Sequence, residues 1–200
     1  MFDESRYPLT LGMLLFDEVE VLDFCGPFEV FSVTTLAGSK PIKVITVAET
    51  ERVQARNGLS VNVDFQLDTA PKIDILLIPG GQGTRTEISN TKLIEWIFSR
   101  SQEAEMVLSV CTGALLLAKA ELLDGLKACT HHKGVDLLRN LAPDCEICLD
   151  RRFVDNGKFT LSAGISAGID MSFYIVQRLF GKEVASETAR YMEYNAVLEE

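Results

Sequence analysis

The sequence predicts an α/β protein with a mainly parallel β-sheet that is covered by helices on both faces. Short, continuously apolar runs suited to buried strands alternate along the chain with segments that have a helical pattern. Continuous apolar strands indicate burial on both faces, because a strand with one wet face would alternate apolar and polar residues. We expect one domain over residues 1–200, since this length suits one full core.

The predicted elements follow from these runs in chain order. Strands are predicted at 11–16, 42–48, 60–65, 73–78, 106–110, 127–130, 152–155 and 158–162, with the alternating run 60–65 at an edge or in a hairpin. Helices are predicted at 24–36, 91–100, 113–120, 133–140, 166–180 and 183–194. Asn156-Gly157 is a strong hairpin-turn signal. Ser166 is expected to cap the helix that it begins, and Gly181 to end that helix.

The composition is that of an ordinary globular protein, with 47% hydrophobic and 24% charged residues. The net charge of −10, with no cluster of Lys and Arg, argues against a nucleic-acid partner. No apolar run reaches the roughly 18 residues that span a membrane, so no membrane partner is expected. The acidic, polar N-terminus does not resemble a signal peptide, and a cytoplasmic location is expected.

The five cysteines are expected to be free thiols, because their number is odd and no signal peptide precedes them. Cys145 and Cys148 have the spacing of a redox motif, but the surrounding alternation predicts a strand rather than a helix start. A zinc site that joins them to His131 and His132 is disfavoured, since successive residues of a strand point to opposite faces. We therefore expect no metal, and the role of these two cysteines stays open.

The strongest candidate for chemistry is Cys111, which lies between an apolar strand and a helix-forming run. A strand that turns at once into a helix places the thiol on a tight bend, like a nucleophile elbow with sulfur instead of oxygen. The free N–H groups and dipole of the helix N-terminus are expected to favour a thiolate. The alternative is a buried cysteine that packs as a small hydrophobe.

Two further strand ends are expected to meet Cys111, because ligands in such sheets bind beyond the carboxyl ends of the strands. Gly80 and Gly81 end the strand at 73–78, and the N–H of Gly81 with that of Thr112 would form an oxyanion hole. The alternative for this glycine pair is a flexible turn.

Asp23 is the candidate general acid and base, with its carboxyl group directed at the sulfur. Its apolar neighbours suggest burial, which would raise its pKa and suit it to proton transfer. The alternative is a helix N-cap, and Glu29 is a rival carboxylate. The run 164–168 matches the Gly-x-Ser-x-Gly pattern of serine hydrolases, but both histidines precede it, so capping explains Ser166 better.

Taken together, these segments resemble the ThiJ/PfpI superfamily, and within it the isonitrile hydratase branch. The residues that carry the resemblance are Leu14-Leu15-Phe16, Leu22-Asp23 with Gly26-Pro27, Ile78-Pro79-Gly80-Gly81, Ser109-Val110-Cys111-Thr112-Gly113, Thr130-His131 and Ala167-Gly168-Ile169-Asp170. The resemblance implies a class I glutamine-amidotransferase-like (flavodoxin-like) sandwich with a cysteine nucleophile elbow, and a homodimer.

The resemblance also implies an activity, the addition of water to an isonitrile to give an N-substituted formamide through a Cys111 thioimidate. Asp23 would act first as acid and then as base, and Thr112 would hydrogen-bond the intermediate or Asp23. Gly80 and His131 would lie at the substrate, a small molecule, and no cofactor is needed. Thr112 stands where peptidases and amidases of the superfamily usually have histidine, and His132 stands where the hydratases usually have an aromatic residue.

Two alternatives remain open. One is another cysteine-dependent activity, such as glyoxalase-like hydration or an amidase. The other is a non-enzymatic sensor of oxidants or small ligands, since the same segments occur in the sensor domains of some AraC-type regulators. A regulator needs a DNA-binding helix-turn-helix region after the sensor domain, and we expect no room for one in a chain that ends at Glu200.

Overall fold

The structure is a computed structural model that describes residues 4–198. Its strands are β1 (Leu9–Leu14), β2 (Ile42–Ala48), β3 (Arg52–Gln54), β4 (Ser60–Asn62), β5 (Phe65–Gln66), β6 (Ile75–Ile78), β7 (Met106–Ser109), β8 (Lys127–Ala128), β9 (Glu146–Ile147), β10 (Phe153–Asp155) and β11 (Phe159–Ser162). Its helices are α1 (Val21–Val33), α2 (Thr84–Glu87), α3 (Thr91–Glu103), α4 (Gly113–Lys119), α5 (Val135–Leu141), α6 (Ala167–Phe180) and α7 (Lys182–Tyr191).

The central sheet has seven strands in the order β10-β11-β7-β6-β1-β2-β5. All neighbours run parallel except β10, which pairs with β11 as the antiparallel hairpin predicted at Asn156-Gly157. Every residue of β6 and β7 is buried, as expected for strands covered on both faces. The mainly parallel α/β fold predicted from the apolar runs is confirmed.

The helices form two groups around this sheet. Helices α1, α6 and α7 pack against one another, and α4 packs against α2, α3 and α5. Because β1, β6 and β7 are parallel neighbours, their carboxyl ends lie at the same edge of the sheet. The glycine pair after β6 and Cys111 after β7 therefore meet there, as expected from the sequence.

The region predicted as one strand at 60–65 is divided in two. Strand β4 forms a small hairpin with β3, which the sequence analysis did not predict, and β5 joins the edge of the central sheet. The break comes at Asp64, whose carboxylate accepts hydrogen bonds from the backbone N–H (2.8 Å) and hydroxyl (2.9 Å) of Thr46. A side chain tied to the neighbouring strand interrupts the alternation.

Two helix starts differ from the expected ones. Helix α1 begins at Val21 rather than at 24, with Glu20 at the N-cap position, so Asp23 lies in the first turn and is not the cap. Ser166 does precede α6, but it has helical backbone angles and its side chain makes no capping bond; its hydroxyl accepts from Arg152 instead. Gly181 ends α6 with a φ of 93°, as predicted.

Within residues 4–198, none of the helices has the length and apolar character needed to cross a bilayer.

Candidate active site

Cys111 lies on a strained turn between β7 and α4, with a φ of 58°. A non-glycine residue in this region costs on the order of 1–3 kcal/mol and persists when its surroundings hold it there. The Cys111 N–H donates to the carbonyls of Ser162 (3.2 Å) and Ala163 (3.1 Å), and its carbonyl accepts from the Thr130 hydroxyl (2.9 Å). The strand-to-helix elbow predicted from the sequence is present, and the adjoining loops fix it.

Asp23 lies beside Cys111 in a fully buried position on α1. Its Oδ2 accepts the N–H of Gly80 (3.1 Å), whereas Oδ1 is buried without a hydrogen-bond partner of ordinary length among the described residues. Burial raises the pKa of Asp23 to about 7, although the Cys111 thiol and the Gly80 N–H oppose that rise. The carboxyl group is thus poised to gain or lose a proton near neutral pH.

The Cys111 thiol is protonated at neutral pH in this arrangement. Burial and then the nearby Asp23 charge raise its pKa to about 12, against the backbone N–H groups of Thr112 and Ile165, which favour the thiolate. The sequence analysis expected a stabilised thiolate, so the direction of that prediction is wrong. Helix α4 has only seven residues and Cys111 is 5% exposed, so the loss of hydration raises the thiol pKa more than the helix N-terminus lowers it.

The Thr112 hydroxyl holds the glycine turn. Its Oγ1 accepts the N–H of Gly81 (2.9 Å) and lies 3.2 Å from the hydroxyl of Thr84. A Cβ at Gly80 would lie 2.4 Å from the Thr112 nitrogen, so the close approach of the two turns requires glycine there. The predicted oxyanion hole of the Gly81 and Thr112 N–H groups is therefore not formed, because the Gly81 N–H already donates to the Thr112 hydroxyl.

Ile165 supplies the donor that the sequence analysis missed. Its backbone N–H acts on the Cys111 sulfur together with that of Thr112, and its φ is 53°. The residue lies inside the Gly-x-Ser-x-Gly run, whose serine was interpreted as a helix cap. The pattern did mark a strained turn at the site, but the chemistry there comes from the backbone of the residue before the serine.

His131 lies close to Cys111 without bonding to it. Both residues line a cavity of about 110 Å³, and the His131 ring packs so closely on residue 164 that a Cβ there would lie 2.4 Å from its Cδ2. Its Nδ1 accepts the N–H of Lys133 (3.2 Å). Burial, followed by the charges of His132 and Lys133, lowers the pKa of His131. Among the described residues no hydrogen bond joins His131 to Cys111, so the site has no formed Cys-His pair.

The remaining candidates lie elsewhere. Glu29 is exposed on α1, which weakens it as a rival to the buried Asp23. Cys145 and Cys148 flank β9, so the strand predicted for this motif is confirmed. No group of three or more His, Cys, Asp or Glu side chains in the described part of the chain is arranged to hold a metal ion. A second cavity, of about 700 Å³, adjoins the first and shares His131 and Ile165 with it.

The sequence matches a known protein family and several named relatives over most of its length. Residues 11–178 match the DJ-1/PfpI family. An isonitrile hydratase from Pseudomonas putida is 33% identical over 187 residues, which are 93% of this chain and 78% of that protein. The transcriptional regulator GbdR from Pseudomonas aeruginosa is 24% identical over 98% of this chain but only 54% of its own length.

Solved structures agree in fold. A ThiJ/PfpI family protein from Pseudomonas syringae superposes with a TM-score of 0.84 at 27% identity, covering 98% of this chain and 83% of that one. DJ-1beta from Drosophila melanogaster gives a TM-score of 0.80 at 21% identity over 93% of this chain and 98% of its own.

Proposed function

Because the chain belongs to the DJ-1/PfpI family, we propose that it is an enzyme that hydrates an isonitrile to an N-substituted formamide. The observation that carries the proposal is the pairing of the buried Asp23 carboxyl group, with a pKa of about 7, with the Cys111 thiol on a strained turn. The hydratase relative supports the same chemistry.

In the first step the thiol adds across the isonitrile carbon. That carbon becomes electrophilic when it is protonated, so the reaction needs a proton donor and a sulfur nucleophile at the same atom. Asp23 takes the proton of the Cys111 thiol and delivers it to the carbon while sulfur bonds to that carbon. The product is a thioimidate, and the pKa near neutrality suits Asp23 to both halves of the transfer.

In the second step water adds to the thioimidate carbon. Asp23 accepts a proton from the water as its oxygen bonds to the carbon, and passes this proton to the nitrogen. The hydroxyl of the tetrahedral intermediate then loses its proton through Asp23 to the sulfur as the carbonyl forms and the carbon–sulfur bond breaks. The N-substituted formamide leaves and the Cys111 thiol is restored, so the atoms of one water are consumed per turnover. The backbone N–H groups of Thr112 and Ile165 stabilise the departing sulfur, because they act on it as hydrogen-bond donors.

The residue after the nucleophile favours hydration over amide cleavage. Amide cleavage expels an amine that must be protonated, whereas in isonitrile hydration nitrogen stays bonded to the attacked carbon. The Thr112 hydroxyl cannot act as a general acid or base at physiological pH, and it is already hydrogen-bonded to Gly81 and Thr84. His131 makes no bond to Cys111 in the described residues, so it does not replace the missing histidine.

The experiment is a substrate panel with the purified protein and its His131→Ala variant. We expect wild type to convert neutral alkyl isonitriles to formamides, detected by NMR, and to leave peptide amides and 2-oxoaldehydes nearly untouched. Amide hydrolysis that depends on His131, with no formamide from any isonitrile, would overturn the proposal. We further propose that residues 1–200 act as one domain in a cytoplasmic homodimer, which native mass spectrometry tests for the oligomeric state.

A further inference from the structure

The cavity at Cys111 differs in charge from the protein as a whole. The chain has a net charge of −10, yet this cavity is lined by Arg56, Arg85 and Lys133 against one carboxylate, Glu20. A cavity lined mainly by cations attracts anions and raises their local concentration.

Arg85 and Lys133 are the two cations without a carboxylate partner. Arg56 is bound to Glu18 at 2.8 Å. The Nη1 of Arg85 donates to the Gly81 carbonyl and the Thr84 hydroxyl, both at 3.1 Å, and both acceptors are neutral. Within residues 4–198 neither Arg85 nor Lys133 forms an ion pair. A guanidinium has five N–H donors, so most of those of Arg85 stay available.

The guanidinium of Arg85 is held in place relative to the nucleophile. Its partner Thr84 lies 3.2 Å from the hydroxyl of Thr112, the residue that follows Cys111. The charges of Arg85 and Lys133 both act on His131, since both help to lower the pKa of its imidazole. A half-buried, hydrogen-bonded guanidinium is a preorganised binding group for a carboxylate, and less freedom is lost on binding than with a mobile side chain.

We infer that the substrate is an isonitrile with a carboxylate a few bonds from its nitrogen, and that Arg85 with Lys133 binds this carboxylate. The inference rests on the proposed function. The Asp23 carboxyl group lies beside Cys111 at the reactive end, so the substrate carboxylate is directed to the cationic end and the isonitrile carbon to the sulfur. The 110 Å³ of the cavity favours a short link, and the adjoining cavity of about 700 Å³ receives any larger substituent.

The first test compares isocyanoacetate with its uncharged methyl ester. We expect wild type to show a higher kcat/KM for the anion, mainly through a lower KM. Arg85→Gln should reduce the ratio of the two kcat/KM values by about tenfold, the effect of one charge-assisted hydrogen bond. The control is Arg190→Gln, an exposed arginine on α7, which should leave the ratio unchanged. An ester used as well as the anion by wild type, or a ratio unchanged in Arg85→Gln, would overturn the inference and leave the proposed function intact.

The second test does not need turnover. The rates at which iodoacetate and iodoacetamide alkylate Cys111 are measured by peptide mass spectrometry, and their ratio is divided by the same ratio for glutathione. We expect the anionic reagent to be favoured several-fold in wild type and this preference to be lost in Arg85→Gln and Lys133→Gln. A normalised ratio of one or less in wild type shows that the cavity does not bind carboxylates. If no isonitrile is hydrated but the preference is seen, the proposed reaction fails and the carboxylate site stands.

Discussion

Two regions of the molecule bury a cysteine: the turn that holds Cys111 and the small β8–β9 sheet, beside which Cys129 lies. Cys129 is fully buried and lies next to Cys148, and its Sγ contacts the backbone carbonyls of Cys148 (3.5 Å) and Arg151 (3.6 Å). Burial raises its pKa to about 12, as it does for Cys111. A raised thiol pKa therefore does not separate the two regions. The difference is the Asp23 carboxyl group, which lies against Cys111 and can take its proton.

We therefore expect the reactivity of each thiol to depend on the group beside it and not on the fraction of thiolate. Cys129 and Cys145 have backbone carbonyls as their contacts, and a carbonyl cannot accept a proton at neutral pH. Cys111 combines a strained turn, two N–H donors at the sulfur and a neighbouring acid. A single substitution can remove each of these features, and the expected losses of activity differ in size.

The largest effect is expected from Cys111→Ala. Formamide production should fall below detection, because among the described thiols only Cys111 has a side-chain hydrogen bond with a carboxyl group, whereas Cys148→Ala should keep activity within about twofold. Folding should persist in both, since alanine is no larger than cysteine, and circular dichroism checks this. Equal losses in the two variants would remove the distinction between the two regions.

Asp23→Asn is expected to lose roughly 10²-fold or more in kcat, since an amide keeps the shape but cannot transfer a proton. Glu29→Gln is the matched control on the same helix, and its exposed position predicts a rate near that of wild type. Steady-state kinetics at pH 7 compares them. An active Asp23→Asn with an inactive Glu29→Gln would transfer the acid–base role to the exposed carboxylate.

Gly80→Ala should cost activity about tenfold or more, as a small displacement at a catalytic turn does. The new Cβ would lie 2.4 Å from the Thr112 nitrogen and 2.9 Å from Asp23 Oδ2, so it must displace the acid or the elbow. Gly38→Ala is the control: its φ of 80° also strains an alanine, but nothing lies within 4 Å of the added carbon. Gly38→Ala should lose some stability but keep the wild-type rate. A wild-type rate in Gly80→Ala would show that the turn at Gly80 tolerates a side chain.

The smallest effect is on stability and has the opposite sign to the effect on rate. Because burial raises the pKa of Asp23 from its ordinary value near 4 to about 7, the folded state binds this proton more tightly than the unfolded state. The stabilisation is fully present below about pH 4 and is lost as the pH rises through about 7. At pH 8 the free energy of unfolding of Asp23→Asn should therefore exceed that of wild type by about 1–4 kcal/mol, and its unfolding temperature should be higher. At pH 4 the two proteins should not differ in this way. Thermal unfolding at pH 4 and pH 8 checks this. A variant less stable than wild type at pH 8 would argue against a raised pKa for the Asp23 carboxyl group.

The fold and the outline of the site were predictable from local patterns. The apolar runs 42–48 and 106–110 mark their strands to within one residue, and the strand-end rule brings Gly80 and Cys111 together. The state of protonation was not predictable, because burial of the thiol depends on how α1 and the 164–168 turn close over it. The Ile165 donor was missed for the same reason: a backbone N–H has no sequence signature, and only the strained turn was visible in the glycine spacing.

We expect the sulfur of Cys111 to bond to the isonitrile carbon during turnover. The direct measurement is rapid acid quenching of wild type with an alkyl isonitrile, followed by peptide mass spectrometry. We expect an adduct with the mass of one isonitrile on the Cys111 peptide and none on the peptides of Cys129, Cys145 or Cys148. The adduct should be more abundant in Asp23→Asn if that substitution slows hydration more than attack. Formamide produced at the wild-type rate by Cys111→Ala, or an adduct confined to Cys148, would contradict it.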